Sequence, residues 1–110
     1  SGLPVYADVA KQAAYCDRGL TYQDLAMPSV LVQDPGLFYG FWGNCLLRYR
    51  ATECHEGYAL LERWLSSKVE GQVYVYTSNV DGHFRRWPCL GRQLHEIHGC
   101  LEEWMCSGSV

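Results

Sequence analysis

The chain has 110 residues, of which 48% are hydrophobic and 14% aromatic, and its formal net charge at pH 7 is −3. This composition predicts a single packed globular domain over residues 1–110 and excludes a disordered chain. The sequence pI of about 5.7 provides no basic surface, so we expect no direct binding of nucleic acid. The sequence also has no apolar run near the ~20 residues that a membrane-spanning helix needs, so we expect no membrane span.

The first predicted helix is short. Asp8 is placed to cap a helix that runs through Cys16, and Asp17-Arg18-Gly19 then breaks it. Farther along, Met27-Pro28-Ser29 carries a turn signal.

A longer helix is predicted to begin at Asp34 and Pro35, because the carboxylate caps the helix and the proline fits its first turn. We expect it to run to about Arg50. Its apolar residues recur every three or four positions, which is typical of a face that packs against a core rather than of a cofactor site. They are Phe38, Phe41, Trp42, Cys45, Leu46 and Tyr49.

A third helix is predicted from a cap at Thr52 to about Lys68, and Gly71 closes it before a strand. An apolar row runs along it, made of Tyr58, Leu61 and Leu65 with Leu60 and Trp64 beside them. We interpret His55 as structural, because it has no partner at the spacing of a metal motif. A helix followed by a strand is the order that a doubly wound sheet uses.

Polar side chains follow the predicted strand. QVYVYT, residues 72–77, alternates valine and tyrosine as a half-buried strand does. Thr77, Ser78, Asn79 and Asp81 crowd its carboxyl end, and Gly82 allows the chain to turn sharply there.

A second short run, QLHEI, can also form a strand, and His98 and Gly99 follow it. Ligands of open α/β sheets lie just beyond the carboxyl ends of the strands. We therefore expect Asn79, Asp81 and His98 to meet at one rim of a sheet. For Asn79 and Asp81 the alternative is an ordinary Asx turn after a strand.

Other charged groups in this region are expected to be structural. His83 is expected to be solvated or to pair with backbone, and His95 is expected to face away from His98 in an extended run. Arg85 and Arg86 are expected to form a surface pair.

The six cysteines contain no C-x-x-C pair. Small secreted frameworks that use disulfides are rich in loops and poor in core, whereas this chain is rich in helix and core residues. We therefore expect reduced, buried thiols and an intracellular, reducing compartment. The cysteines are Cys16, Cys45, Cys54, Cys89, Cys100 and Cys106.

The chain resembles the sirtuin family of NAD-dependent protein deacylases. TSNVDG, HFRR and the later His-Gly pair are similar to that family's T-Q-N-[IV]-D-x-L-x-R-x-A-G and [VE]-x-H-G motifs. The opening SGLP is similar to the end of its entry motif G-A-G-x-S-x-x-S-G-[IL]-P-D-F-R. The specific part of the resemblance runs from Thr77 to Cys106. It implies an α/β fold, a Rossmann-like parallel sheet flanked by helices, of which residues 1–110 are a part.

The resemblance implies NAD as cofactor and an acyl-lysine protein as substrate. The acyl group would pass to ADP-ribose with release of nicotinamide, and His98 would take a proton from a ribose hydroxyl, a role that suits an imidazole side chain. Asn79 would contact the ribose and the reacting centre, and Asp81 would accept from the nicotinamide carboxamide. Thr77 and Ser78 would line the same cofactor site.

The entry motif departs from the family pattern. After Pro4, which would contact the cofactor, the family has Asp, Phe and Arg, and this chain has Val5, Tyr6 and Ala7. Tyr6 would cover the nicotinamide side of the cofactor or else pack in the core. In the family, a strand and a G-A-G-x-S stretch that receives the pyrophosphate precede this motif, and residues 1–110 do not contain them.

Zinc is not supported by the sequence. Cys106 stands where sirtuins place the first cysteine of a zinc ribbon, but Ser109 stands where its partner would be. Cys89 and Cys100 are not spaced to replace that partner. Cys106 would be a ligand only if the ribbon were completed outside these residues.

Three functions stay open. The first is an NAD-dependent protein-lysine deacylase, supported by Asn79, Asp81 and His98. The second is a catalytically degenerate sirtuin-like chain that serves as a structural or interaction subunit of a larger assembly, supported by the lost Asp-Phe-Arg triplet, Ser78 and Ser109. The third is an NAD hydrolase that uses the same asparagine and histidine.

Overall fold

The computed structural model of the protein describes residues 13–69 and 71–106. Pro4, Tyr6 and Asp8 lie outside this range, so the predictions for them are not addressed by the structure. The described residues divide into two compact units, one ending at Thr52 and the other beginning at Glu53. The first is helical, and the second contains a helix and a small parallel sheet.

The helices of the first unit are α1 (Ala13–Cys16), α2 (Tyr22–Ala26), α3 (Pro28–Gln33) and α4 (Pro35–Ala51). The break predicted after α1 is confirmed, and Gly19 takes a positive φ of 66° in it. The turn predicted at Met27-Pro28-Ser29 consists of Met27 alone, which separates α2 from α3. Pro28 is already the first residue of α3, a position that proline fits well.

Helix α4 has the start and the end that the sequence predicts, and three of the six residues of its predicted core face are buried. The Asp34 carboxylate accepts a hydrogen bond from the N–H of Leu37 across 3.0 Å, and the helix ends at Ala51. Phe41, Cys45 and Tyr49 are buried along one face. The Tyr15 ring packs edge-on against Phe41 with ring centroids 5.8 Å apart, so this face forms the core of the first unit.

Helix α5 (Glu56–Ser66) begins later and ends earlier than predicted. The prediction of a Thr52 cap is wrong, because the Thr52 hydroxyl donates to the carbonyl of Arg48 across 2.7 Å and closes α4 instead. His55 is the N-cap, and its Nδ1 accepts from the N–H of Gly57 across 3.0 Å. The structural role predicted for His55 is thus confirmed.

Two short strands form a parallel pair in the second unit. They are β1 (Val75–Thr77) and β2 (Leu94–Glu96), and in their register Thr77 lies opposite Glu96. Both lie within the predicted strand runs, and β1 is half the length of QVYVYT because only its last three residues pair. The described residues are therefore a mixture of helices with a parallel strand pair, which agrees with an α/β class at this coarse level.

A 3-10 helix (His83–Arg86) and a series of turns connect the two strands. Tyr58, His83, Leu90 and Cys100 are buried in this unit. The Tyr58 ring lies 4.9 Å from the Phe84 ring and stacks on Trp87, so α5 packs against the connection between the strands.

None of the described cysteines forms a disulfide. Cys45 and Cys100 are buried, and burial raises the pKa of both thiols. Cys16 and Cys106 are exposed, so the prediction of burial is wrong for these two. Within the described ranges, no helix is both long and apolar enough to cross a membrane.

Candidate functional site

The segments that follow β1 and β2 run side by side at the carboxyl end of the strand pair. The N–H of Ile97 donates to the carbonyl of Thr77 across 3.0 Å, and the N–H of Leu101 donates to the carbonyl of Val80 across 3.0 Å. These two hydrogen bonds bracket Asn79 on one segment and His98 on the other. The parallel pairing therefore brings the two predicted catalytic residues to the same edge of the sheet.

The last residue of β1 and the two residues after it form a tight turn. The Thr77 hydroxyl accepts a hydrogen bond from the N–H of Asn79 across 3.1 Å. Thr77 itself is half-buried, whereas Ser78 and Asn79 are exposed. The turn thus uses the backbone of Asn79 and leaves its side-chain amide at the surface, where it can donate and accept.

Asp81 closes a second turn. Its Oδ1 accepts from the N–H of His83 across 2.9 Å, which is the Asx turn that the sequence left open as the alternative. The Asp81 side chain is 13% exposed, so it is largely but not fully buried. The Asx turn and a ligand contact are compatible, because a carboxylate has about four lone-pair sites.

His98 lies in the exposed turn after β2. Gly99, the next residue, has a φ of 74°, and its N–H donates to the carbonyl of Glu96 across 3.0 Å. Only glycine adopts this backbone conformation readily, which explains a His-Gly pair at the end of a strand. The turn holds His98 at the sheet edge with its ring accessible to a ligand.

His83 is buried, so the prediction that it is solvated is wrong. Its exposed fraction is 0%, and its ring lies edge-on to Tyr58 with centroids 6.2 Å apart. Its Nδ1 lies 3.9 Å from Oδ2 of Asp81. The one sequence signal near His83 is Gly82, which allows a sharp turn and has a φ of 68°. A glycine predicts that the chain can turn there, but it does not predict whether the next side chain is buried or exposed.

Arg85 does more than the predicted surface pair. Its guanidinium donates hydrogen bonds to the carboxylates of Glu103 and Glu96. These hydrogen bonds raise the pKa of Arg85 above its ordinary range, and the one to Glu103 contributes most. The Glu96 side chain is nearly buried, and Glu103 is exposed. Arg85 therefore links the 3-10 helix to the two ends of the segment that carries His98.

A shallow groove of about 330 Å³ runs along α5. It is lined by His55, Gly57, Tyr58, Leu60, Leu61, Trp64 and Phe84. Of the predicted apolar row, Tyr58 is buried, but Leu60, Leu61 and Trp64 keep exposed fractions of 40%, 38% and 60%. This face of the helix is therefore apolar and accessible within its unit.

Metal ligands are not grouped in the described residues: no three His, Cys, Asp or Glu side chains there are placed to hold one ion. Cys106 is exposed, and Ser109 lies outside the described part.

Comparison of the whole chain with protein-family models, with curated proteins and with solved structures finds no match. What the chain does is therefore inferred from its residue pattern and from the geometry of its second unit.

Proposed function

We propose that the chain is part of an NAD-dependent protein-lysine deacylase of the sirtuin type. The observation that carries this proposal is the parallel pairing of β1 with β2, which sets the segments of Asn79 and His98 side by side. An exposed amide, a partly exposed carboxylate and an exposed imidazole then lie on two adjoining turns. This donor and acceptor set fits the ribose and carboxamide groups at the nicotinamide end of NAD.

Each residue has a distinct task in this proposal. Asn79 binds ribose hydroxyls through its side-chain amide, and Thr77 and Ser78 line the same turn. Asp81 accepts from the carboxamide of the nicotinamide. His98 removes a proton from a ribose hydroxyl, because a neutral imidazole is a base of suitable strength near neutral pH.

NAD, when bound, would supply the ADP-ribose that accepts the acyl group. Nicotinamide would leave the ribose, and one water would be consumed as the lysine amine is released. The resemblance of SGLP to the family's entry motif also implies cofactor contacts for Pro4 and Tyr6. The substrate is an acylated lysine side chain of another protein. No role for zinc is proposed.

The proposal includes a Rossmann-like parallel sheet flanked by helices, to which β1 and β2 belong. Parallel strands need a crossover connection between them, and such sheets are usually covered by helices on both faces. We also propose a reducing compartment, which agrees with cysteines that form no disulfide in the described residues.

The direct test incubates the intact gene product with an acetyl-lysine peptide and NAD. We expect deacetylated peptide and nicotinamide in equal amounts, measured by mass spectrometry and chromatography. A reaction without NAD and a reaction with the unacetylated peptide are the controls. Nicotinamide release that does not depend on the peptide would instead indicate an NAD hydrolase.

A structural or interaction subunit of a larger assembly is the second candidate function. The observation that favours it is the accessible apolar face of α5, formed by Leu60, Leu61 and Trp64. Titration calorimetry with NAD separates the two candidates, because only the enzyme requires the cofactor. If the intact protein binds no NAD, the structural role replaces the deacylase.

A further inference from the structure

His83 is a buried titratable side chain that the proposed reaction does not use. It begins the 3-10 helix directly after Gly82. A Cβ at Gly82 would lie 3.0 Å from Sγ of Cys100, so the turn is closely packed as well as left-handed. This turn directs the imidazole of His83 into the unit and not toward solvent.

Two contacts join His83 to Asp81. The backbone N–H of His83 donates to Oδ1 across 2.9 Å, and the ring Nδ1 lies 3.9 Å from Oδ2. One residue thus faces both oxygens of the carboxylate. The backbone contact would survive any substitution at position 83 except proline, whereas the ring contact depends on the histidine side chain.

His83 and its neighbours form a poorly solvated site beside Asp81. Tyr58 lies edge-on to the ring, and the Cys54 thiol donates to the carbonyl of His83 across 3.9 Å. Burial, followed by the negative charge of Asp81, raises the pKa of Tyr58. Electrostatic interactions are stronger in such a poorly solvated site than in water.

We infer that His83 is a positioning residue that orients the Asp81 carboxylate toward the nicotinamide carboxamide. The inference rests on the proposed function, because it assigns Asp81 its ligand. His83 acts through Asp81 and does not touch the cofactor. It therefore controls the affinity for the nicotinamide end of NAD and leaves the affinity for the ADP-ribose part unchanged.

The experiment measures the Kd of NAD and the Kd of ADP-ribose for the intact protein by calorimetry. ADP-ribose is the probe that lacks the carboxamide. In His83→Leu, which keeps the size of the side chain but removes its polar atoms, we expect NAD to bind several-fold more weakly. The ring Nδ1 lies 3.9 Å from Oδ2 of Asp81, which is longer than a hydrogen bond, so the expected loss comes from a carboxylate that is held less firmly. ADP-ribose should bind as it does to the wild type.

Three further variants sharpen the test. His83→Asn keeps an amide nitrogen near the position of Nδ1 and should restore most of the NAD affinity. Asp81→Asn should reproduce the selective loss of NAD binding. His95→Leu is the matched control, because His95 is an exposed histidine on β2 and its loss should change neither Kd.

Circular dichroism and thermal melting establish that each variant folds. If His83→Leu does not fold, His83→Gln replaces it, because the glutamine amide extends one carbon beyond the position of Nδ1 and should also weaken NAD binding.

The outcomes separate the inference from the proposed function. A wild-type protein that binds neither NAD nor ADP-ribose overturns both. A wild-type protein that binds both, with an unchanged NAD affinity in the substituted protein, overturns the inference alone. Equal weakening of NAD and ADP-ribose also overturns it, because that result indicates a general structural role for His83.

Discussion

The Nε atom of Arg85 donates a hydrogen bond to Oε2 of Glu96 across 2.8 Å, and a second nitrogen of the same guanidinium donates to the same oxygen. Glu96 is the last residue of β2, and its side chain is 6% exposed. The pair therefore fixes the 3-10 helix to the strand at the point where the segment of His98 begins. A charged pair with two hydrogen bonds and one nearly buried partner is stronger than an ordinary surface ion pair.

Replacing Arg85 by Ala should lower the free energy of unfolding by about 2 kcal/mol, because Glu96 would keep a nearly buried carboxylate without its cation. The partial exposure of the guanidinium keeps this loss below that of a fully buried pair. Urea unfolding followed by circular dichroism measures it. Arg86→Ala, at the next and exposed position, is the matched control and should cost clearly less.

A double substitution tests the same pair more directly. Arg85→Ala combined with Glu96→Gln should cost less than the sum of the two single substitutions, because each removes the same contact. Strict additivity of the two losses would show that Arg85 and Glu96 do not stabilise each other.

Glu62 holds the turn after the 3-10 helix. Its carboxylate accepts hydrogen bonds from the N–H of Cys89 across 2.9 Å and from the N–H of Leu90 across 3.1 Å. Glu62→Gln should lower the free energy of unfolding by about 1 kcal/mol at pH 7. Glu53→Gln, at an exposed position of the same unit, should leave it nearly unchanged.

The contribution of Glu62 should depend on pH. Burial raises the pKa of its carboxyl, but the N–H groups of Cys89 and Leu90 outweigh this effect, so the folded value is lower than the ordinary 4.5. A group with a lowered folded pKa contributes its stability above the unfolded value and loses it as the pH falls through the folded value. The difference between wild type and Glu62→Gln should therefore be constant from pH ~6 to ~8 and shrink below pH 4.5. A constant difference down to pH ~3 would contradict this account.

Tyr58 is the aromatic centre of the second unit, in contact with the rings of His83, Phe84 and Trp87. Tyr58→Ala should lower the free energy of unfolding by about 3 kcal/mol, because it leaves a cavity among packed rings. Tyr76→Ala removes the same atoms from an exposed position on β1 and should cost less than about 1 kcal/mol. Similar losses in the two variants would show that the ring cluster does not stabilise the unit.

His98 is predicted to be the base of the proposed reaction. His98→Ala should lower the rate of deacylation by at least ~100-fold, the usual range for loss of a positioned base. Its thermal melting should stay near that of the wild type, because the side chain is exposed. His95→Ala is the control, since His95 packs on Tyr76 on the strand and should keep full activity. Unchanged deacylation in His98→Ala would remove this residue from the reaction.

Local signals account for the elements that were predicted correctly. The start of α4 follows from the Asp34 carboxylate and Pro35, which act on the backbone within one turn of their own positions. The break after α1 and the strand runs around β1 and β2 depend in the same way on near neighbours in the chain. The Asx turn at Asp81 is local too, and the sequence predicts it as the alternative to a ligand contact.

The incorrect predictions involve choices that local signals leave open. Thr52 is a good helix cap by residue type, but its hydroxyl closes the helix before it and His55 caps the helix after it. Both Thr52 and His55 have side chains that can cap a helix, and the local backbone conformation decided that His55 caps α5. A propensity for capping does not contain that information.

By itself the sequence determined the capped start and the buried residues of α4, the two strand runs and the polar residues that follow each of them. These depend on side-chain periodicity and on turn chemistry over a few residues. The tertiary structure alone decided that His83 is buried, that Arg85 binds Glu96 and Glu103, and that Trp64 stays exposed. Burial and ion pairing are set by contacts between segments that are distant in the chain, and no local pattern specifies which segments will meet.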